Sequence, residues 1–227
     1  MHLDLALEDE GGRRAITVDI TELVIAGWTA RDVAAMEAHI TELEELGIAR
    51  PKSTPTYYRN GAQLLTTEDG IEVVGATSSG EVEFVMLAHD GEYLVGLGSD
   101  HTDREVEKIG VAISKQVCPK PIGRTVWRYD EVRGHWDDLV LRSFAVEGDT
   151  RSLYQEGPVT TMRDPLEMIE AYGGGTAPRT GLAIYCGTLV VHGGVRPMDR
   201  FEMELEDPVL GRKLTHGYGI TQLPIAG

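Results

Sequence analysis

Cysteine is almost missing from this chain. Only Cys118 and Cys186 occur, without patterned spacing, which excludes a disulfide framework and a cysteine-built zinc site. Long apolar runs are missing too. None approaches the roughly 20 residues of a membrane span, and the N-terminal stretch has no apolar core of signal-peptide length. The expectation is a cytoplasmic protein without membrane contact. Basic residues are scarce, 21 Lys and Arg against 37 Asp and Glu, for a formal net charge of -16. That balance excludes nucleic acid and anionic membranes as partners. It also repels a small anionic metabolite unless a metal ion, an Arg or a Lys stands where it binds. Internal repeats and low-complexity segments are absent. Strands and helices do not alternate regularly, which excludes a doubly wound parallel sheet.

What is present is 227 residues, 41% apolar and 26% charged, enough for one domain with a sizeable core. Short alternating segments dominate. His2 to Leu7 and Ala15 to Ile20, around Gly11-Gly12, predict a hairpin. Further strands are expected at Ile71 to Val74, Glu81 to Ala88, Tyr93 to Leu97, Leu139 to Phe144, Gly181 to His192, Glu202 to Leu205 and Leu214 to Ile220. Thr29 with Asp32 caps a helix carrying Val33, Met36, Ile40 and Leu43 until Gly47 ends it. Residues 102–115 predict a second helix with Val106, Ile109 and Ile113 on one face, and Pro165 to Tyr172 a third, capped by Asp164. The expected fold class is α+β and β-rich, a rolled or folded-over mixed sheet with a few peripheral helices.

The chemistry concentrates between Ser78 and Gly123. In Gly80-Glu-Val-Glu-Phe-Val-Met, a spacing of two puts Glu81 and Glu83 on one strand face, with Val82, Phe84 and Met86 on the other. The next strand ends in Ser99-Asp100, which supplies a third carboxylate. Three hard oxygen ligands with room for water are what Mg²⁺ or Mn²⁺ prefers, with Ca²⁺ as a further option. Arg104 and Lys115 add positive charge for an anionic ligand. Lys115 also falls at a helix end, where a lysine commonly complements the helix dipole. Arg104 either clamps a carboxylate of the substrate or braces Asp100 or Glu105. On the first helix His39 and Glu42 lie three apart beside the apolar stripe, as a surface pair or as a polar pair facing a cavity. Gly187, inside an apolar strand pair, marks either a bulge or a place where a ligand approaches the backbone, with the Thr188 hydroxyl adjacent.

These segments, in this order, resemble the fumarylacetoacetate hydrolase superfamily, whose members cleave, decarboxylate, hydrate or isomerise 2-oxo and β-diketo acids. Glu81-Val-Glu83-Phe-Val-Met is similar to its metal strand, and Ser99-Asp100-His-Thr102-Asp-Arg104-Glu105 to its Asn-Asp-x-Ser-x-Arg-Asp block. Lys115 with Pro119, Pro121 and Gly123 resembles the stretch that carries the catalytic lysine. Cys186-Gly187-Thr188 resembles the substrate loop, and Arg196 to Glu202 the segment after it. The likeness implies Glu81, Glu83 and Asp100 as metal ligands, Lys115 as a catalytic residue, and Arg104, Gly187 and Thr188 at the substrate. It further implies that His39 and Glu42 orient a water. Residues 1–35 read as the hairpin and helix start of the same domain, and residues 36–227 as its catalytic part. A homodimer is implied, and an apolar edge from Leu182 to Val191 suits one. Ser99 stands where the family has Asn, Thr102 where it has Ser, and the phenylalanines after the lysine are gone, as in a divergent branch.

The expected activity is that of a divalent-metal-dependent hydrolase or lyase on a small 2-oxo or β-diketo acid, cleaving or decarboxylating it through a metal-stabilised enolate. Hydration, isomerisation, amide or ring-opening hydrolysis, and a catalytically idle carboxylate binder are the alternatives.

Overall fold

The computed structural model describes residues 1–45 and 50–226, apart from the side chains of His39 and Leu43. Gly47, expected to end the first helix, lies outside the described residues.

The chain opens with the hairpin His2–Asp9 (β1) and Gly12–Asp19 (β2), then Glu22–Gly27 (β3), Val33–Glu45 (α1), Thr56–Asn60 (β4), Leu65–Thr66 (β5), Gly70–Val74 (β6) and Ser78–Ser79 (β7). Its middle runs through Val82–His89 (β8), Glu92–Ser99 (β9), Thr102–Asp103 (β10), Arg104–Glu107 (α2), Val111–Gln116 (α3), Lys120–Pro121 (β11), Thr125–Arg128 (β12) and Tyr129–Val132 (α4). The last third adds Val140–Glu147 (β13), Thr150–Pro158 (β14), Pro165–Gly173 (α5), Leu182–Tyr185 (β15), Arg200–Asp207 (β16) and Arg212–Leu223 (β17).

Two mixed sheets dominate. One has eight strands in the order β2-β1-β12-β9-β8-β15-β3-β4, the other five in the order β14-β13-β16-β17-β6. The N-terminal hairpin belongs to the larger sheet, because β1 pairs in parallel with β12. The strand-rich α+β expectation therefore holds. Both faces of the large sheet are covered. Val82, Phe84, Met86 and Ala88 of β8 join a core shared with Leu141, Phe201, Leu205 and Tyr218 of the five-stranded sheet. Val85 and Leu87 face a second core with Leu3, Leu5, Leu7, Ile20 and Ile122. An inner strand flanked by β9 and β15 is apolar on both sides, so the expected acidic face shrinks to Glu83 and to Glu81 just before the strand.

Other expectations change as well. Asp32, not Thr29, caps α1, its carboxylate accepting from the Ala35 N–H at 3.0 Å. The single helix over 102–115 is two short ones. Asp103 caps α2 by accepting from the N–H groups of Glu105 and Val106, and the chain breaks before Gly110 and restarts as α3. The supposed inner face points outward, Ile109 being 81% exposed and Ile113 54%, while Ser114 and Lys115 of α3 are buried. Only the first half of the Gly181 to His192 strand pair forms, because Gly187 (φ 97) turns the chain away. Nor is Leu182 to Val191 an open edge: β15 pairs with both β3 and β8, and Leu182 to Cys186 are buried. Among the described residues no helix is long and apolar enough to cross a membrane.

Candidate functional site

The site is the open end of a hairpin. Asp90 (φ 48) and Gly91 (φ 81) make its tight turn, both left-handed as a two-residue hairpin loop requires. That turn fixes the register so that Glu83 faces Gly98 and Val82 faces Ser99. One step further the Asp100 N–H donates to the Glu81 carbonyl at 3.0 Å. Glu81, Glu83 and Asp100 are thereby gathered, with one carboxylate oxygen of each within 4.8 Å of the others. Gly98 is needed where it stands, since a Cβ there would lie 2.6 Å from the Tyr185 ring.

α3 carries Lys115 into this cluster. Its Nζ ion-pairs with Asp100 Oδ2 and lies 3.7 Å from Glu81 Oε2. A helix that buries its lysine and exposes its isoleucine reverses the usual preference, and three carboxylates are what make a buried ammonium tolerable. Burial works against the charge of Lys115, but Asp100 and then Glu81 overcome it and raise its pKa. Burial also opposes charge on Asp100, which Lys115 and Lys120 outweigh, bringing that carboxyl down to about 2. Glu83 goes the other way. It is raised well above the carboxylate range by burial first and by the charges of Asp100 and Glu81 next.

Lys120 has no counterpart among the predicted site residues. Fully buried, its Nζ sits 3.1 Å from Asp100 Oδ1 and donates to the His101 carbonyl. His101 is buried too, with Nε2 2.9 Å from Ser78 Oγ and Nδ1 3.0 Å from the Tyr218 hydroxyl, which donates to Ser99 Oγ at 2.8 Å. Burial first and Lys120 second lower its pKa to about 3, so it is neutral and serves to brace the segment. A lysine between two prolines looks like a turn residue in sequence, and nothing in its spacing marks it for burial.

Arg104 braces, but with other partners than expected. It lies 3.0 Å from Glu81 Oε1 and 3.0 Å from Glu107 Oε2, and its Nε donates to Ser79 Oγ. A carboxylate of a substrate would have to compete with both. Gly187 and Thr188 are likewise engaged within the protein. The Gly187 N–H donates to Glu83 Oε2 at 2.7 Å, and the Thr188 hydroxyl donates to the Val82 carbonyl at 2.8 Å while accepting from Gln155 Nε2. They hold β8 and Glu83 in place. Gly187 is required there, because its φ of 97 is left-handed and a Cβ would come within 1.8 Å of Thr29 Oγ1. Glu42 is exposed on α1 and does not line the cavity described next, while the side chain of His39 lies outside the described residues.

A cavity of about 550 Å³ opens onto Glu81, Glu83 and Lys115, with Tyr58, Met36, Met162 and Leu189 among its walls. Arg104, Lys115 and Lys120 face four carboxyl groups, Glu81, Glu83, Asp100 and Glu107, and Glu83, its pKa raised by burial and by its acidic neighbours, is the one whose charged form a bound cation would restore. This oxygen-only donor set fits a hard divalent cation.

The chain has the fold of the fumarylacetoacetate hydrolase superfamily. It is similar to the crystal structure of Cg1458 (TM-score 0.65, 16% identity, covering 94% of this chain and 81% of that one). A structure of 2-keto-3-deoxy-D-arabinonate dehydratase complexed with magnesium and 2,5-dioxopentanoate is also similar (TM-score 0.62, 16% identity, 96% and 79%). Within that fold the chain belongs to the family DUF2848, described as a protein family of unknown function, whose model matches residues 26–218. No protein with a curated description matches the sequence.

Proposed function

We propose that the chain is a divalent-metal-dependent enzyme that cleaves or decarboxylates a small 2-oxo acid or β-diketo acid. The observation carrying this reading is the burial of Lys115 against Asp100 and Glu81 at the floor of a cavity, beside Glu83, whose carboxylate is held by the Gly187 N–H. Glu81, Glu83 and Asp100 would hold Mg²⁺ or Mn²⁺, which when bound polarises a carbonyl oxygen as a Lewis acid. The similar dehydratase, solved with magnesium and 2,5-dioxopentanoate, supports looking for that combination.

The protein's own groups then have definite tasks. Lys115 keeps its proton through neutral pH and places positive charge next to the substrate oxygen toward which electrons move as the bond breaks. Its Nζ proton is also the one available for the carbon that loses its substituent. Arg104 holds Glu81 in place from behind, and Lys120 does the same for Asp100. The Gly187 N–H fixes one oxygen of Glu83. Hydrolysis needs a base for water in addition. The exposure of Glu42, outside the cavity walls, favours a lyase or decarboxylase over a hydrolase that uses His39 and Glu42.

A second reading has its own support. Both oxygens of Asp100 already face an ammonium group, which would suit a protein that binds carboxylates without turning them over. Lys115→Ala, assayed for Mn²⁺ binding and for turnover on a panel of 2-oxo and β-diketo acids, separates the two. Turnover by the wild type, lost in the variant with metal binding retained, supports the enzyme. Absence of turnover by the wild type on the whole panel supports the binder.

A further inference from the structure

Charged side chains are few in the cavity lining. Among the described residues that line it, Lys115 is the sole cation, and it is at the floor. Its apolar lining includes Trp28, Met36, Met162 and Leu189, with Val190, 85% exposed, at the rim, while the Tyr58 ring lies 5.8 Å from Lys115 Nζ. Trp28 is held with φ 59, left-handed and unusual for a bulky residue, and such outliers persist where the surroundings over-determine them. Two methionines give this wall a surface that adapts to varied apolar shapes. Among the described residues one charged side chain other than the floor groups lines the cavity, and it is acidic: Glu107, whose carboxylate is shared with Arg104 at 3.0 Å. At about 30 Å³ per water, the 550 Å³ volume far exceeds what a pyruvate-sized acid fills.

We infer that the substrate is a monoanion: one carboxylate with its neighbouring carbonyl at the floor, and an uncharged, apolar chain of several carbons along Trp28, Met162 and Leu189. A second carboxylate on the substrate meets no further cation among the described residues that line the cavity, where the one further charged group is the acidic Glu107. Exclusion by a like charge discriminates more sharply than an apolar wall attracts. This rests on the 2-oxo acid reading above and adds the identity of the free end.

The test compares two acids with the same carbon chain, 2-oxohexanoate and 2-oxoadipate, by calorimetric binding to the Mn²⁺-loaded protein. The expected result is binding of 2-oxohexanoate at least about tenfold tighter. Two variants, Glu107→Gln and the rim substitution Val190→Arg, which touches no packed side of the core, should each narrow the gap. Equal or tighter binding of 2-oxoadipate overturns the inference and leaves the 2-oxo acid reading standing. So does a gap unmoved in both variants. If neither acid binds while Mn²⁺ does, the 2-oxo acid reading itself has failed and the inference with it.

Discussion

Two aspartates with fully buried side chains illustrate what separates a structural charge from a chemical one. Asp207, at the end of β16, accepts from the N–H groups of Val209 and Leu210, from His135 Nε2 at 3.0 Å and from Arg212 Nε at 3.3 Å. Arg212 in turn pairs with Glu131 at 2.9 Å and stacks 4.5 Å from the Trp127 ring. That cluster is closed, and every charge in it meets its opposite. Asp100 is just as buried and has two lysines, yet it lies beside two further carboxylates and a cavity. Burial and pairing are common to both clusters. Crowding of like charges at an opening is found only at Asp100, and crowding of that kind costs stability unless a ligand relieves it.

The sharpest way to break this contrast is at Lys115. Replacing it with alanine is expected to lower turnover roughly a thousandfold, in the range for loss of a proton-transferring group, with Mn²⁺ binding retained in a titration. Asp207→Ala should do the converse, costing about 3 kcal/mol in denaturant unfolding through stranded Arg212 and His135, while Mn²⁺ affinity stays at the wild-type value. Gly187→Ala tests the support under Glu83. A left-handed backbone and a clash with Thr29 predict a loss of about 2 kcal/mol, together with weaker Mn²⁺ binding.

The pH dependence of stability sharpens the comparison from the acid side. Burial opposes the charge of Asp207, but the Leu210 N–H, His135 and Arg212 overcome it and lower its pKa. A carboxyl with a lower pKa folded than unfolded binds fewer protons when folded, so its contribution is present above the unfolded value of about 3.9 and is lost as pH falls through the folded one. Melting temperature measured below about pH 4 should therefore fall less steeply in Asp207→Asn than in the wild type. The smallest effect is expected from Glu42→Gln, an exposed change within about 0.5 kcal/mol in stability. A large loss of turnover in that variant would bring His39 and Glu42 into the site after all.

The acidic cluster was legible because it depends on short-range rules. A spacing of two along a strand and an Asp-Gly turn are enough to place Glu81, Glu83 and Asp100 together. What escaped depends on tertiary contacts. Lys120 gives no local sign that it will be buried against Asp100. The spacing of Val106, Ile109 and Ile113 fits a helix, but an Asp103 cap, the break before Gly110 and the inward pull on Lys115 reversed which face is buried. Likewise the apolar run after Gly187 reads as strand, although the N–H of that glycine is turned to Glu83. The partners of Arg104 were misjudged for a similar reason, since Glu107 becomes its neighbour only once α2 has formed.

The central claim is that the three carboxylates form one divalent-cation site whose charge balance rests on Glu83. A calorimetric titration of Mn²⁺ into the wild type and into Glu83→Gln tests it directly. One site per chain in the wild type, weakened by about a hundredfold or more in the variant, is the result this account predicts. A wild-type protein that takes up no Mn²⁺ or Mg²⁺, or a variant that binds as tightly as the wild type, would contradict it.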